Sequence, residues 1–489
     1  MRLDAVIGSD ARLEAAHAAL EVKGLTADSR AVAPGYLFAA IKGVKADGAA
    51  YVPSARAKGA IAVLAEQDAA IDAGELPVIR VSNPRATLAR AAARFYGAQP
   101  ETVIAVTGTN GKTSVAAFTR QIWAHLGQAA ASIGTVGIIS PKGQRKLQHT
   151  TPDPVELQEV MADLAREGVT HAAIEASSHG LAQHRLDGLT LRAGAFTNIS
   201  RDHLDYHPDF EDYFSAKLRL FTDLLPAGAA AVINADFPEA ERVITAARAR
   251  GLNVTTVGHK GETIRLLTQQ RSATGQALAL SIEGERFTLD LPLVGDFQAS
   301  NALVALGLAL ATGVKPGEVI PALEHLKGAT GRLEHVTSLN GAQVFVDFAH
   351  TPDALENAIT ALRPYAAGRV IVVFGAGGDR DPGKRPQMGA TVAKFADLAI
   401  VTDDNPRSED PAKIRAQVLA GCPGGIDGGD RPSAIRLGLT MLKPGDILVV
   451  AGKGHETGQE IAGRVLPFSD QEEIRLAAQN YNKSEVANG

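Results

Sequence analysis

The chain has 489 residues, of which 45% are hydrophobic and 21% are charged, and its formal net charge is −5. This length is more than one hydrophobic core supports, so about two to four domains are expected. The negative balance argues against a nucleic-acid binder that is held by phosphate contacts. Cys422 is the only cysteine, which excludes an intrachain disulfide and a cysteine metal cluster and fits a reducing cytoplasm.

Neither the N-terminal segment nor the longest apolar stretch indicates a membrane protein or a secreted one. The N-terminal stretch "MRLDAVIGSDARLEAA" carries acidic residues early and has no long apolar segment, so it does not predict a secretory signal. The longest apolar stretch, "NALVALGLALATG" from Asn301, is too short to span a bilayer and predicts a buried helix. We therefore expect a cytoplasmic protein that neither inserts into a membrane nor binds nucleic acid.

The first predicted domain covers residues 1–99. Short strands at "YLFAAI", "AIAVLAE" and "LPVIRV" precede an Ala/Arg-rich helix that ends at "RFYGAQP". Pro100 and the polar residues beside it predict a linker.

A phosphate-binding loop is predicted at the start of the second domain. In "VIAVTGTNGKTSVAAF", Val103 to Val106 form an apolar, β-branched run typical of a buried strand, and a helical pattern begins near Thr113. Gly108 and Gly111 permit a tight turn whose amides approach an anion closely. Lys112 would then reach the β- and γ-phosphates of a nucleotide, and the Thr113 hydroxyl would bind Mg²⁺. The alternative is a glycine-rich turn with a solvated lysine.

Apolar strands then alternate with helical segments through two further domains, 100–333 and 334–489. The strands of the second domain include "HAAIEAS", "AGAFTNIS" and "AAAVINAD", and those of the third include "VFVDFAH", "RVIVVFGAGG" and "DILVVAGKGHE". This alternation predicts an α/β fold with mainly parallel sheets, and ligands bind such sheets at the carboxyl ends of their strands. A strand-rich insert, "ALALSIEGERFTLDLPLVG", interrupts the pattern.

Three polar residues of the second domain are ambiguous when each is considered alone. Glu175 ends an apolar strand and suits a metal carboxylate or a turn cap. His203, in "TNISRDHLDYH", would more often be a structural histidine. Lys217, in "YFSAKLRLF", is typical of an exposed helix lysine.

Taken together, the motifs resemble those of the Mur ligase family, which builds the peptide stem of bacterial cell-wall precursors. The segments "VTGTNGKTS", "EASSHGLAQHR", "FTNISRDHLDYH", "GDFQASN", "GRLEHV", "VDFAHTPDAL", "GAGGDRDPGKRPQM", "DDNPR" and "AGKGHE" follow the order seen in that family. "ADSR" and "KGVKADG" extend the resemblance to the first domain. The family loop is TGTNGKT, so Val106 in place of the usual first glycine is a family feature. The resemblance implies a UDP-sugar domain, a central ATP-binding domain and a C-terminal amino-acid-binding domain.

The resemblance also implies roles for individual residues. Catalytic roles fall on Lys112, Glu175, His203 and Lys217. Contacts to ATP are implied for Gly108, Thr109, Asn110, Gly111, Lys112, Thr113, Ser114, Asn301, Arg332 and Asp347. The metal ligands implied for two Mg²⁺ ions are Thr113, Glu175, His203 and Lys217, the last as a carbamate formed from CO₂. Contacts to the UDP-muramoyl dipeptide are implied for Ser29, Val44, Lys45, Ala46, Thr150, Thr151, Ser177, Gln183 and Arg185.

The amino acid that is added is implied by "DDNPR", because in this family DNPR marks the members that add meso-diaminopimelate. The implied contacts are Arg380, Asp404, Asn405, Pro406, Arg407, Gly452 and Glu456. The expected reaction is ATP-dependent amide ligation to a D-glutamate γ-carboxylate through an acyl phosphate, catalysed by a monomer. The alternatives are the same reaction with L-lysine, a kinase, and an NTPase switch without ligation.

Overall fold

The computed structural model describes residues 1–43, 46–200, 206–272 and 274–488. The chain forms two compact units, the first of Met1–Arg265 with Leu303–Val319 and the second of Leu266–Ala302 with Ile320–Gly489. The predicted α/β class with large parallel sheets is confirmed. None of the helices in the described ranges is long and apolar enough to cross a membrane.

The N-terminal part of the first unit is a four-stranded parallel sheet in the order β1-β2-β3-β4. Its strands are β1 (Gly24–Thr26), β2 (Tyr36–Ala39), β3 (Ala62–Glu66) and β4 (Val78–Val81), and its helices are α1 (Leu3–Ile7), α2 (Ala15–Ala18), α3 (Val52–Ala57) and α4 (Pro84–Tyr96). Helix α4 is well delimited, because the Asn83 side chain caps its N-terminus and Gly97 follows its end with φ 76°.

The central part of the first unit is a second, larger sheet. Its strands are β5 (Thr102–Thr107), β6 (Ala130–Gly134), β7 (Gly137–Ser140), β8 (Gly143–Arg145), β9 (His171–Glu175), β10 (Ala193–Phe196), β11 (Ala230–Asn234) and β12 (Asn253–Gly258). Its helices are α5 (Lys112–His125), α6 (Pro154–Arg166), α7 (Ser178–Ala182), α8 (Phe210–Arg219), which runs into a π-helical turn at Leu220–Leu224, and α9 (Ala240–Ala249).

These strands lie in the order β12-β11-β10-β5-β9-β6-β7-β8. All neighbours from β12 to β6 pair in parallel, and only β7 and β8 are antiparallel. Parallel strands are covered on both faces, which explains why β5, β9 and β10 are nearly continuous apolar runs. Their carboxyl ends lie side by side and carry the loops that follow Thr107, Glu175 and Phe196.

The chain passes between the units within strand β13 (Ile264–Ser272), helix α10 (Asp296–Ala311) and helix α11 (Pro316–Leu323). The strand-rich insert is an antiparallel pair, β14 (Gly275–Ile282) and β15 (Glu285–Leu291). The apolar stretch from Asn301 forms part of α10, and Leu306 and Leu308 there are fully buried. The predicted buried helix is confirmed.

The second unit contains a six-stranded sheet in the order β16-β17-β21-β18-β19-β20, parallel except for β16. Its strands are β16 (Glu334–Leu339), β17 (Ala342–Asp347), β18 (Val370–Phe374), β19 (Leu398–Val401), β20 (Ile426–Asp427) and β21 (Ile447–Ala451), with a separate hairpin of β22 (Gly458–Ile461) and β23 (Arg464–Pro467). The helices that lie wholly in this unit are α12 (Pro352–Leu362), α13 (Lys384–Phe395), α14 (Pro411–Leu419), α15 (Arg431–Thr440) and α16 (Asp470–Asn488).

Candidate active site

The predicted phosphate loop connects strand β5 to helix α5 and spans residues 108–111. Gly108 has φ 144° and Gly111 has φ 86°, values that side chains with a Cβ atom rarely adopt. A Cβ atom at residue 108 would also lie 2.0 Å from Thr197 Oγ1. Conformation and space therefore both require glycine at position 108.

The loop is held by the residues that follow β10. The Thr109 amide donates to the Asn198 carbonyl at 2.9 Å, and the Asn110 amide donates to Asn198 Oδ1 at 3.0 Å. The Thr197 hydroxyl donates to the Asn110 carbonyl at 2.5 Å. The motif "FTNIS" thus supports the neighbouring loop.

Lys112 is the first residue of α5, and its side chain folds back along the loop. Its ammonium donates to the carbonyls of Gly108 at 2.9 Å and Thr109 at 2.8 Å. Its charge is therefore held at the N-terminus of α5, where the helix dipole also favours anions.

Glu175 is buried at the end of β9, where it pairs with Val106 of β5. Its Oε2 accepts from the Thr113 hydroxyl at 3.0 Å and from the Thr135 hydroxyl at 3.1 Å, while its Oε1 accepts from the Thr135 amide at 2.8 Å. A Cβ atom at Gly134 would lie 2.0 Å from Glu175 Oε1, so glycine leaves the space that this carboxylate occupies. The predicted pair of Thr113 and Glu175 is brought together.

Lys217 is buried, with 1% exposure, so the expectation of an exposed helix lysine is wrong. Tyr213, one helical turn earlier in α8, is also fully buried, because these residues share the inward face of the helix. The Lys217 ammonium donates to the Gly108 carbonyl at 2.7 Å and lies 4.5 Å from the centre of the Tyr213 ring. The buried Lys217 ammonium thus contacts the phosphate loop at Gly108.

Five of the residues predicted to contact the UDP-muramoyl dipeptide form one network beside Glu175: Thr150, Thr151, Ser177, Gln183 and Arg185. Thr151 donates to the Glu175 carbonyl at 2.7 Å and lies 3.0 Å from the Ser177 hydroxyl. Arg185 donates to the Thr151 carbonyl at 2.5 Å and to Gln183 Oε1 at 2.8 Å, and burial lowers the pKa of its guanidinium. The Thr150 hydroxyl joins the network through Thr135, at 3.1 Å.

The remaining predicted residues of the first unit are less informative. The Ser29 carbonyl accepts from the Lys58 ammonium at 2.9 Å, and the Ala46 carbonyl accepts from the Gly43 amide at 2.8 Å. Ser114 is buried in α5. Three predicted site residues lie outside the described residues: Val44, Lys45 and His203.

Asn301, Arg332 and Asp347 belong to the second unit. Asp347 ends β17 and accepts from the amides of Leu333 at 2.7 Å and Ala349 at 2.8 Å. Burial raises the pKa of Asp347 although Arg332 opposes the shift. The Arg332 guanidinium lies 5.0 Å from the centre of the Phe348 ring, and the Asn301 amide donates to Gln298 at 3.1 Å.

The loop after β19 and the loop after β21 come together at the carboxyl edge of the second sheet. Asn405 Nδ2 donates to Glu456 Oε2 at 3.0 Å. A Cβ atom at Gly452, where φ is 117°, would lie 2.6 Å from Asp404 Oδ2, so glycine is required there. Burial would raise the pKa of Glu456, but the Lys453 ammonium and the Asn405 amide hold it below its usual value.

Arg407 contacts the glycine-rich loop after β18 and strand β22. Its Nη1 donates to the Gly378 carbonyl at 2.7 Å, and its Nε lies 3.1 Å from Glu460 Oε2. Arg380 is exposed two residues after Gly378, in the same glycine-rich loop. The structure therefore brings the "GGDRD", "DDNPR" and "AGKGHE" motifs to one place.

Several residues of these networks were not singled out from the sequence, among them Thr135, Tyr213 and Lys453. Thr135 and Tyr213 lie outside the recognised motifs, and Tyr213 also contacts the Thr109 hydroxyl, at 3.0 Å. Lys453 lies inside "AGKGHE", so its motif was the signal that pointed to it.

The site formed by the phosphate loop, Thr113 and Glu175 can bind phosphate groups, and it also offers oxygen atoms to a cation. Within the described ranges, no group of three or more His, Cys, Asp or Glu side chains is arranged to hold a metal. The buried Glu175 carboxylate and the Thr113 hydroxyl nevertheless present oxygen atoms, which are the ligands that Mg²⁺ prefers. These two residues therefore fit an Mg²⁺ ion.

Comparisons with known proteins agree with this arrangement. Three family descriptions match the chain: Mur ligase family, catalytic domain, over residues 21–96, Mur ligase middle domain over 106–309, and Mur ligase, glutamate ligase domain, over 331–454.

Two similar curated relatives are both named UDP-N-acetylmuramoyl-L-alanyl-D-glutamate--2,6-diaminopimelate ligase. The Bradyrhizobium diazoefficiens protein is 56% identical over 98% of this chain and 99% of its own. The Agrobacterium fabrum protein is 55% identical over 96% of this chain and 95% of its own.

Two solved structures are also similar to the chain, over different shares of its length. A structure with that same ligase name has a TM-score of 0.75 and 32% identity, covering 99% of both chains. Mycobacterium tuberculosis folylpolyglutamate synthase shares the fold with a TM-score of 0.61 at 20% identity, but covers 75% of this chain. The chain belongs to the Mur ligase family.

Proposed function

We propose that this protein joins meso-diaminopimelate to the D-glutamate γ-carboxylate of UDP-N-acetylmuramoyl-L-Ala-D-Glu, with conversion of ATP to ADP and phosphate. The observation that carries the proposal is the cluster of Asn405, Arg407 and Glu456, which offers cationic, amide and anionic groups within one set of loops. Meso-diaminopimelate has both a carboxylate and an ammonium at its far end, so it matches this combination of charges. The names of relatives more than 50% identical to the chain support the same substrate.

The first step is phosphoryl transfer. A γ-carboxylate oxygen attacks the γ-phosphorus of ATP, the bond to the β–γ bridging oxygen breaks, and an acyl phosphate and ADP result. The Lys112 ammonium and the amides of the loop and the first turn of α5, other than the Thr109 and Asn110 amides that donate to Asn198, would bind the phosphates and reduce the repulsion between the two anions. Arg185, Ser177 and Thr151 would hold the dipeptide beside Glu175.

The second step forms the amide. The amine of diaminopimelate attacks the acyl carbon, phosphate leaves with the C–O bonding electrons, and the proton lost by the nitrogen is taken up by the departing, strongly basic phosphate. The loops of the second unit would orient that amine by fixing the other end of the amino acid, since orientation of both reactants supplies much of the rate. Asn301, Arg332 and Asp347 are proposed contacts of the nucleotide.

Thr113 and Glu175 would hold Mg²⁺, together with His203 and Lys217 in the roles that the family implies. The ion, when bound, supplies positive charge that stabilises the transferring phosphoryl group. We also propose the division into three domains at residues 1–99, 100–333 and 334–489, a monomeric state and a cytoplasmic location.

Lys217 is proposed to carry a carbamate, because a buried ammonium beside an Mg²⁺ site would repel the ion while a carbamate would bind it. The buried position of Lys217 at the Gly108 carbonyl supports this.

We expect protein incubated with ¹³C-bicarbonate to show a carbamate resonance that is missing in Lys217→Ala. We also expect a small added carboxylate to restore part of the ligase activity of that variant. An identical carbamate spectrum from both proteins would refute the assignment.

The second candidate function is the same ligation with L-lysine, which Glu456 alone would favour through the distal ammonium. An assay of ADP release with a panel of diamino acids separates the two. Preference for meso-diaminopimelate supports the proposal, and comparable kcat/KM for L-lysine contradicts it.

A further inference from the structure

Lys453 is a fully buried lysine that contacts two of the proposed substrate-binding side chains without being one of them. It follows strand β21, and its exposure is 0%. Its ammonium donates to Asn405 Oδ1 at 3.0 Å and to Glu456 Oε2 at 2.8 Å. Burying an ammonium costs free energy unless charged and polar partners offset it, so this position calls for an explanation.

The first consequence concerns the orientation of the Asn405 amide. An ammonium can only donate, so the amide atom that faces it must be the oxygen. The Glu460 amide also donates to that oxygen, at 2.9 Å. The Asn405 nitrogen is therefore turned toward Glu456, to which one of its two N–H groups donates, and the second N–H group would be the donor for a ligand carboxylate.

The second consequence concerns the charge of Glu456. The other charged groups that act on this carboxylate are His455, beside it in the same loop, and Arg431 of α15. Burial opposes ionisation of Glu456, and Lys453 is the strongest influence that favours it, so the pKa of Glu456 stays below its usual value. An anion at Glu456 is what a distal ammonium would bind.

From these contacts we infer that Lys453 is a positioning and specificity-determining residue, which sets the Asn405 amide as a donor and Glu456 as an anion for the far end of the incoming amino acid. This inference rests on the proposed function. It assigns to Lys453 an action through its two neighbours and no contact with the substrate or the reacting atoms.

The test is Lys453→Met, which keeps much of the side-chain length and removes the charge and donors. We expect the KM for meso-diaminopimelate to rise by about tenfold or more, as for loss of hydrogen bonds to charged groups, while the KM for ATP and for the UDP-muramoyl dipeptide stays unchanged. Lys413→Met is the matched control, since Lys413 is an exposed lysine on α14 of the same unit. It should leave all three KM values at the wild-type level.

The pH profile provides a readout that a purely structural role would not change. Without Lys453, burial of Glu456 remains while its main cationic partner is lost, so the pKa of Glu456 rises. Because the anionic form is needed, kcat/KM for meso-diaminopimelate should begin to fall at a higher pH in Lys453→Met than in the unmutated enzyme as the pH is lowered. The loss should shrink toward alkaline pH.

A double-mutant cycle checks that the effect acts through Glu456. In a Glu456→Gln background, Lys453→Met should raise the KM for meso-diaminopimelate by a clearly smaller factor, since coupled residues are not additive. If Lys453→Met does not yield folded protein, Lys453→Gln, which removes the charge but retains a donor, is used in the same assays.

Two outcomes would overturn the inference. One is a folded variant with an unchanged KM and pH profile for meso-diaminopimelate, and the other is an equal loss for all three substrates. The unmutated enzyme tests the proposed function separately, because failure of meso-diaminopimelate to support ADP release there would reject the substrate whatever Lys453 does.

Discussion

Arg407 combines a cationic side chain with a backbone conformation that is unusual for arginine. Its φ is 52°, in the left-handed region that favours glycine, and its amide and carbonyl pair with the carbonyl of Glu460 at 3.0 Å and the amide of Ala462 at 2.7 Å. Such strain persists only where surrounding contacts enforce it, and it is common at functional sites. Here the hydrogen bonds to strand β22 and to Ala462 hold the backbone of Arg407 in this conformation. In this conformation the guanidinium contacts the Gly378 carbonyl.

We predict that Arg407→Ala loses most of the preference for meso-diaminopimelate over L-lysine. Sites built around a polar partner reject analogues that lack it by roughly 10⁴-fold, because the partner is left unpaired. The ratio of kcat/KM for the two amino acids measures this preference. Arg464→Ala, at an exposed position of β23, should leave the ratio unchanged. An Arg407→Ala enzyme that still discriminates as strongly would show that another group reads the distal carboxylate.

At this scale the sequence identified residues that share motifs but not the contacts between them. Thr113 and Glu175 are 62 positions apart, and their 3.0 Å hydrogen bond depends on the parallel pairing of β5 with β9. The burial of Lys217 was missed because the apolar residues around it in the sequence do not reveal which face of α8 packs against the sheet. The positive φ at Arg407 was also beyond sequence reasoning, since it results from tertiary hydrogen bonds rather than from local preference.

Among the helices and strands, the end of β21 depends on a buried ion pair that joins two helices. Arg431, the first residue of α15, and Asp470, the first of α16, are both fully buried. Two hydrogen bonds of 2.7 Å connect them, and Arg431 also donates to the Ala451 carbonyl at 2.9 Å. This contact supports the chain immediately before Gly452 and Lys453.

We predict that Asp470→Asn lowers the free energy of unfolding of the second unit by about 3–5 kcal/mol, because it leaves a buried guanidinium without its counterion. Urea denaturation measures the loss. Glu473→Gln is a matched control, since Glu473 pairs with Arg436 across the same two helices at 2.6 Å but Arg436 is 52% exposed. That substitution should cost less than about 1 kcal/mol. Equal effects of the two substitutions would contradict the account.

The arrangement of elements was largely predictable, since strand and helix periods alternate clearly in the central and C-terminal parts. The predicted strand from Val103 is β5, the predicted helix near Thr113 is α5, and the insert is the antiparallel pair of β14 and β15. Strand order was not predictable in the same way. Strand β9 lies between β5 and β6 although β6 precedes it in sequence, and this order results from packing of helices on both faces of the sheet.

For the whole molecule, we propose that phosphate transfer by the first unit serves amino-acid addition by the second. The first unit holds the phosphate loop, Glu175 and the network of Thr151, Ser177 and Arg185 that we propose binds the dipeptide, and the second holds the cluster of Asn405, Arg407 and Glu456. An NTPase switch would explain the first set of residues and leave the second without a role. A ligase explains both.

The measurement that tests this claim most directly is release of ADP and phosphate in the presence of UDP-N-acetylmuramoyl-L-Ala-D-Glu, with meso-diaminopimelate, with L-lysine, and with no amino acid. We predict that sustained release requires both the dipeptide substrate and meso-diaminopimelate, and that an equal amount of tripeptide product accumulates. L-Lysine should support it only weakly. Sustained ADP release that is independent of the dipeptide and the amino acid, with no tripeptide formed, would contradict the account.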